Sequence, residues 1–189
     1  MNRIDKKLFF VIAILVMSQL LGAESIGHKT AVWLSGFGLK PWMVVVLISM
    51  LPIIELRGAI PIAILFFHMN PVEAVILSVI GNMIPIPLIL LFMDQFFKLI
   101  SKVKTGKRFT DWLFARTRRK GKSIEKYEAI GLIGFVGIPL PGTGGWTGAF
   151  AANIFGLKFW RSLLCVFLGV LIAAAIVTPL TLLGKVAIG

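Results

Sequence analysis

Charge is what this sequence has least of: 15% of its 189 residues are Asp, Glu, Lys or Arg, against 58% apolar residues. Mean hydropathy is +0.94. A water-exposed globule needs a polar shell and does not reach that balance, so a bilayer is the expected solvent and one membrane domain the expected count. Cysteine occurs once, as Cys165 inside the apolar run from Leu163 to Val177, which excludes an intrachain disulfide and a chelating thiol pair. That thiol reads as buried packing. The two histidines, His28 and His68, are far apart and have no metal-ligand spacing; both read as surface residues. No Ser/His/Asp or Cys/His constellation, no Gly-x-x-x-x-Gly-Lys-Ser/Thr and no true Gly-x-Gly-x-x-Gly is present. Hence no enzyme, cofactor, metal or nucleotide site is expected. The carboxylates Asp5, Glu24, Glu73, Asp94, Asp111, Glu125 and Glu128 mostly flank apolar segments.

What the chain has is apolar length. Stretches at 8–22, 42–67, 72–97, 129–157 and 160–184 each come near the roughly 20 residues needed to cross a hydrocarbon core about 30 Å thick. Arg3, Lys6 and Lys7 precede the first, which ends at Gly22-Ala23-Glu24, so an uncleaved anchor, the favoured reading, and a cleaved signal peptide look nearly alike there. Segment 24–41 mixes Val32, Trp33 and Phe37 with His28, Lys29 and Lys40, as in a helix lying at the interface. The net charge of +12 does not imply nucleic acid, because 11 of the 20 Lys and Arg lie between Lys98 and Lys126. Interleaved with Phe109, Trp112, Leu113 and Phe114, they suit anionic lipid heads. Lys107, Arg108, Trp112, Arg116, Arg118, Arg119 and Lys120 are the expected headgroup contacts.

Two of the apolar stretches are chemically unlike ordinary spans. In 42–67, Leu51-Pro-Ile-Ile-Glu-Leu-Arg-Gly-Ala-Ile-Pro61 sets Glu55 and Arg57 at the middle, where a charge costs between about 3 and more than 10 kcal/mol. At i and i+2 on a continuous helix the two point to nearly opposite sides. Either the helix breaks there or each charge has a partner elsewhere. In 129–157, Pro139-Leu-Pro-Gly-Thr-Gly-Gly-Trp-Thr-Gly148 ends any continuous helix, and such backbone survives at bilayer depth only where protein or a wet cavity satisfies it. The arms are too short to cross: Trp42 to Ile54 is 13 residues, roughly 20 Å of helix.

Both stretches are therefore expected to be re-entrant. With the N-terminus inside, that topology puts 16 of the 20 basic residues in the cytoplasm, whereas five straight crossings from the same start put the 98–126 loop outside. The expected fold class is an all-α integral membrane protein of the inner cell membrane, with an inverted repeat of re-entrant hairpin plus span. Its parts are an N-terminal anchor and interfacial helix (1–41), a first repeat (42–97, with the hairpin 42–67 and the span 72–97), a basic cytoplasmic linker (98–127) and a second repeat (128–189, with the hairpin 129–157 and the span 160–184). Gly81 follows Glu55, and Gly169 follows Thr143, at the same spacing of 26 residues. Broken helices of an inverted repeat meet at the midplane in many transporters, with the substrate between them.

The runs Leu51–Pro61 and Ile138-Pro-Leu-Pro-Gly-Thr-Gly-Gly-Trp-Thr-Gly-Ala149 resemble the two signature stretches of the small multidrug export protein family, over about residues 42–184. More remotely, that family resembles the DedA superfamily, whose members are thought to carry two facing re-entrant loops and to move lipids or lipid-linked carriers. The resemblance implies a transporter-like fold and supplies no substrate.

Glu55 is the candidate for taking up and releasing a proton, or a structural carboxylate paired with Arg57 or with a half-helix amide. Arg57 is a fork for an anionic headgroup, or the counterion of Glu55. The Gly142-Thr143-Gly144-Gly145 turn offers backbone amides to an anion, or only close approach. Thr143 and Thr147 bond substrate or local backbone. Asn82, beside Pro85 and Pro87, lines the cavity or marks a kink, and Asn153 stands likewise. Trp146 is a wall or packing. With Gly58, Pro61, Pro139, Pro141 and Gly148 these make the expected substrate and proton site. Expected partners are membrane lipids, a small amphipathic or anionic solute or a lipid-linked substrate, and a second copy in a homodimer. The alternatives to a proton-linked transporter are a lipid-phosphate flippase or scramblase and a non-transporting assembly protein.

Overall fold

The computed structural model describes residues 26–100, 102, 122–140 and 142–188. The anchor expected before residue 24, Pro141 and all seven expected headgroup contacts, from Lys107 to Lys120, lie outside these. Every regular element among the described residues is helical: residues 26–35 (α1), Pro41–Met50 (α2), Glu55–Pro61 (α3), Pro71–Met83 (α4), Pro85–Ile100 (α5), Lys122–Gly137 (α6), Gly145–Phe155 (α7) and Phe159–Ile188 (α8). A π turn, Ile62–Phe66, continues α3.

Proline and glycine set most of these boundaries. Pro41, Pro71 and Pro85 stand at helix starts, where a missing N–H costs nothing, and Asn70 caps α4 by accepting from Val72 N at 2.9 Å. Leu51, forced extended by Pro52, ends α2 with ψ 134°. Gly156, at φ 73°, closes α7, with Leu157 N donating to Ala152 O at 3.0 Å. α6 begins at Lys122, within the basic stretch 98–127.

Two segments, Pro71–Met93 and Phe159–Val186, are long and apolar enough to cross a bilayer. Only 39% of the most apolar window of each is buried, whereas the core helix of a soluble globule is mostly buried. Along Pro71–Met93 the exposed face reads Val72, Ile76, Ile80, Ile84 and Leu88, a four-residue recurrence that gives lipid one continuous apolar stripe. The first span bends at Ile84, ahead of Pro85.

Two broken stretches pack against these spans. The first is α2, a turn at 51–54, and α3; the second is α6, a turn at 138–144, and α7. α2 packs on α4 and α6 packs on α8, so each first arm rests on the span that follows it in sequence. α3 is buried along its whole length among α2, α4 and α8, while α7 packs on α5, α6 and α8.

Candidate functional site

The turn after α2 carries the chain into α3 at an uncommon angle. Glu55 N donates to Leu51 O at 2.9 Å, and Glu55 itself sits in the left-handed region at φ 51°. For a residue with a Cβ that conformation costs on the order of 1–3 kcal/mol and persists only where its surroundings impose it. The result is a carboxylate at the head of α3 and a guanidinium two residues on, 5% and 6% exposed.

Neither is hydrogen-bonded to the other; both reach the second broken stretch. Arg57 Nη1 donates to Leu140 O at 2.9 Å, and Nη2 donates to Thr143 Oγ1 at 3.0 Å, with Val136 O at 3.3 Å and Ile138 O at 3.4 Å. These carbonyls belong to the end of α6 and the turn after it, where a helix leaves acceptors without partners and carries partial negative charge. The Glu55 carboxylate lies at the other side of the same turn, where α7 begins, and accepts from Trp146 N at 3.3 Å. A helix N-terminus carries partial positive charge. Each charge therefore complements one cut end of a helix, which is how two ions at i and i+2 coexist in an apolar interior.

The exchange is mutual. Trp146 Nε1 donates back to Met50 O, the last residue of α2, at 3.1 Å. Thus α3 satisfies the end of α6, and α7 satisfies the end of α2. The glycines let the parts close. Gly144, at φ 152°, lies so near Glu55 that a Cβ there would strike both carboxylate oxygens, and Gly142 turns at φ 74°. Thr143 Oγ1 ties the turn together, lying 2.8 Å from Ile138 O and 2.9 Å from Leu140 O.

A cavity of about 240 Å³ opens beside this junction, lined by Pro52, Ile53, Ile54, Glu55, Arg57, Gly142, Thr143 and Thr147. Asn82 of α4, fully buried, has both amide atoms without a partner, and its Nδ2 lies 3.2 Å from where a Cβ of Gly145 would be. The residues expected as one site thus fall into groups. Glu55, Arg57, Gly142, Thr143, Gly144, Gly145, Trp146 and Thr147 meet at the junction, with Asn82 adjoining. Pro139 sits in the turn whose carbonyls Arg57 binds. Gly58 and Pro61 are buried within α3, and Gly148 abuts Val136. Asn153 bonds back to Ala149 O at 3.2 Å, and Lys102 is the one described residue between Ser101 and Gly121.

Sequence reasoning missed the acceptors. Met50, Val136, Ile138 and Leu140 contribute only carbonyl oxygens, which every residue has. Ser49 and Ser78, both fully buried and joined by a bond from Ser49 Oγ to Ser78 O, were also missed; a serine in an apolar run was the available signal. Among the described residues no group of three or more His, Cys, Asp or Glu could hold a metal.

A family model described as "Putative small multi-drug export protein" matches residues 55–176, from the Glu55 of this junction through most of α8. No curated protein and no solved structure matches the chain.

Proposed function

Because the chain belongs to the small multi-drug export protein family, we propose that it is a multi-pass inner-membrane exporter whose solute passes through the junction of the two broken stretches. Both stretches are re-entrant and enter from opposite sides, as an inverted repeat. Glu55 exchanges a proton with the chamber during the cycle. Small amphipathic or anionic solutes are the substrate class.

The observation that carries this reading is the reciprocal capping. Arg57 on the α6 end, Glu55 on the α7 start and Trp146 on the α2 end hold interrupted backbone and buried charge together around a cavity, which is the condition for such backbone at bilayer depth. Packing supports the opposed entry: α4 lies on α2 and α3 of the first stretch, whereas α5, the other half of the same span, lies on α7 of the second.

Purified protein in liposomes with an imposed proton gradient tests the proposal. Glu55→Gln is expected to insert and fold normally and to abolish gradient-driven export of an amphipathic dye; flux equal to wild type removes Glu55 from coupling. Movement of labelled lipid without any gradient would favour the flippase reading instead.

A further inference from the structure

Away from the junction, the seam between the first span and α8 is hollowed in two places. In the first hollow, about 460 Å³, Val79, Met83 and Pro87 of the first span stand across from Leu163, Leu164 and Phe167 of α8, and every lining side chain is apolar or aromatic. The second, about 260 Å³, is lined by Leu90 and Leu91 of α5 and by Asn153, Lys158, Phe159 and Ser162. On α5 the two are one helical turn apart, at Pro87 and at Leu90 with Leu91. On α8 they share the first turns, with Trp160 and Leu163 in one and Phe159 and Ser162 in the other. Together they form a trough that is apolar for most of its length and carries a cation at one end.

We propose that this trough holds one anionic phospholipid, with its phosphate on Lys158 and an acyl chain lying along Val79, Met83, Leu164 and Phe167. The site is apart from the Glu55–Arg57 junction and does not depend on the transport reading. The lipid is a resident that bridges the first span and the start of α8, not the exported solute, and no covalent bond is made or broken.

Length and charge identify the occupant. From Val79 to Leu91 is 12 residues, roughly 18 Å of helix, close to the roughly 15 Å depth of one leaflet in a 30 Å core. Trp160, 77% exposed, stands where the apolar part gives way to the polar one, the level at which tryptophan marks the edge of the hydrocarbon. Any lipid wets an apolar face; a cation at its end selects the headgroup. Lys158 is exposed, and no carboxylate lines the hollow beside it. Asn153 Nδ2 already donates to Ala149 O, and Ser162 Oγ to the carbonyls of Leu157 and Lys158, so the lysine ammonium is the lining group left to meet a negative charge.

Native mass spectrometry of the full chain, released from detergent after incubation with dioleoyl phosphatidylglycerol or dioleoyl phosphatidylcholine, tests the proposal. Wild type is expected to retain one phosphatidylglycerol in preference to phosphatidylcholine. Lys158→Gln should lower that preference about fivefold, the effect of one basic residue beside anionic lipid heads, while Lys185→Gln, which removes the same charge at the other end of α8, leaves it in place. Leu164→Trp fills the trough and should weaken both lipids at least threefold. The proposal is overturned if the two lysine variants behave alike, if Leu164→Trp leaves binding unchanged, or if inorganic phosphate displaces the lipid. It is equally overturned if the chain runs as a lipid-free dimer that Leu164→Trp dissociates, since a second copy then covers the trough. Should Leu164→Trp not fold, phosphatidylglycerol with brominated chains gives the same reading through Trp160. The emission lost in Trp160→Phe is expected to be quenched saturably at one lipid per chain, and quenching that does not saturate overturns the site.

Discussion

Arg57 shows how one residue holds a buried junction together. Its guanidinium spans Leu140 O at 2.9 Å and Thr143 Oγ1 at 3.0 Å, on adjoining parts of one turn, which a planar fork can do and a point charge cannot. Arg57→Ala would leave buried carbonyls unpaired, with an expected loss of about 3 kcal/mol or more; Arg57→Lys should recover less than half of it, read as unfolding midpoints in detergent. Gly144→Ala should be costly for two reasons that can be separated. The new methyl meets the Glu55 carboxylate, and the backbone at φ 152° resists any side chain, for about 1–3 kcal/mol in strain alone. Combining it with Glu55→Ala should relieve the first part and leave the second, so the double variant is expected to be more stable than the two losses added. At this scale the sequence was partly legible. Glu55 and Arg57 stood out because charge between prolines in an apolar run is expensive, and Gly144 because a glycine-rich turn interrupts another. Their partners did not, since helix-end carbonyls carry no signature and the two runs are separated by about 80 residues of chain.

Each helix of a broken stretch leaves end groups without intrahelical partners, and at the breaks the two stretches cap each other. Close approach is the second requirement, and glycine provides it in corresponding places. Gly81 is ten residues into α4 (71 to 81) and Gly169 ten into α8 (159 to 169). A Cβ at Gly81 would strike the Val46 carbonyl of α2, and one at Gly169 would lie 2.5 Å from Val136 Cβ of α6. Each span thus admits the arm before it, α4 taking α2 at Gly81 and α8 taking α6 at Gly169. Gly81→Ala and Gly169→Ala should each destabilise by about 1–3 kcal/mol through overpacking, whereas Gly131→Ala and Gly134→Ala, with nothing within 4 Å of the new methyl, should be neutral or slightly stabilising. Thermal unfolding of the four variants separates the pairs. The breaks at 51–54 and 138–144 were readable from Pro52, Pro139 and the glycines. The π turn after Pro61 and the early start of α6 were not, because the first depends on packing around α3 and the second falls in a basic segment without apolar periodicity.

For the whole molecule, the family and the all-helical class were readable from the two motifs and the apolar runs, and the two long exposed helices agree with a membrane setting. In the proposed reading, entry of the hairpins from opposite sides turns two interrupted helices into one shared chamber; in the sequence, charge bias suggested it. Labelling of single cysteines reads it directly. In a Cys165→Ala chain, His68→Cys and Lys158→Cys place an exposed thiol at the exit of each broken stretch. With a membrane-impermeant maleimide, position 68 is expected to react from outside the cell and position 158 only in inside-out vesicles. Reaction of both from the same side would contradict the opposed arrangement, and with it the chamber.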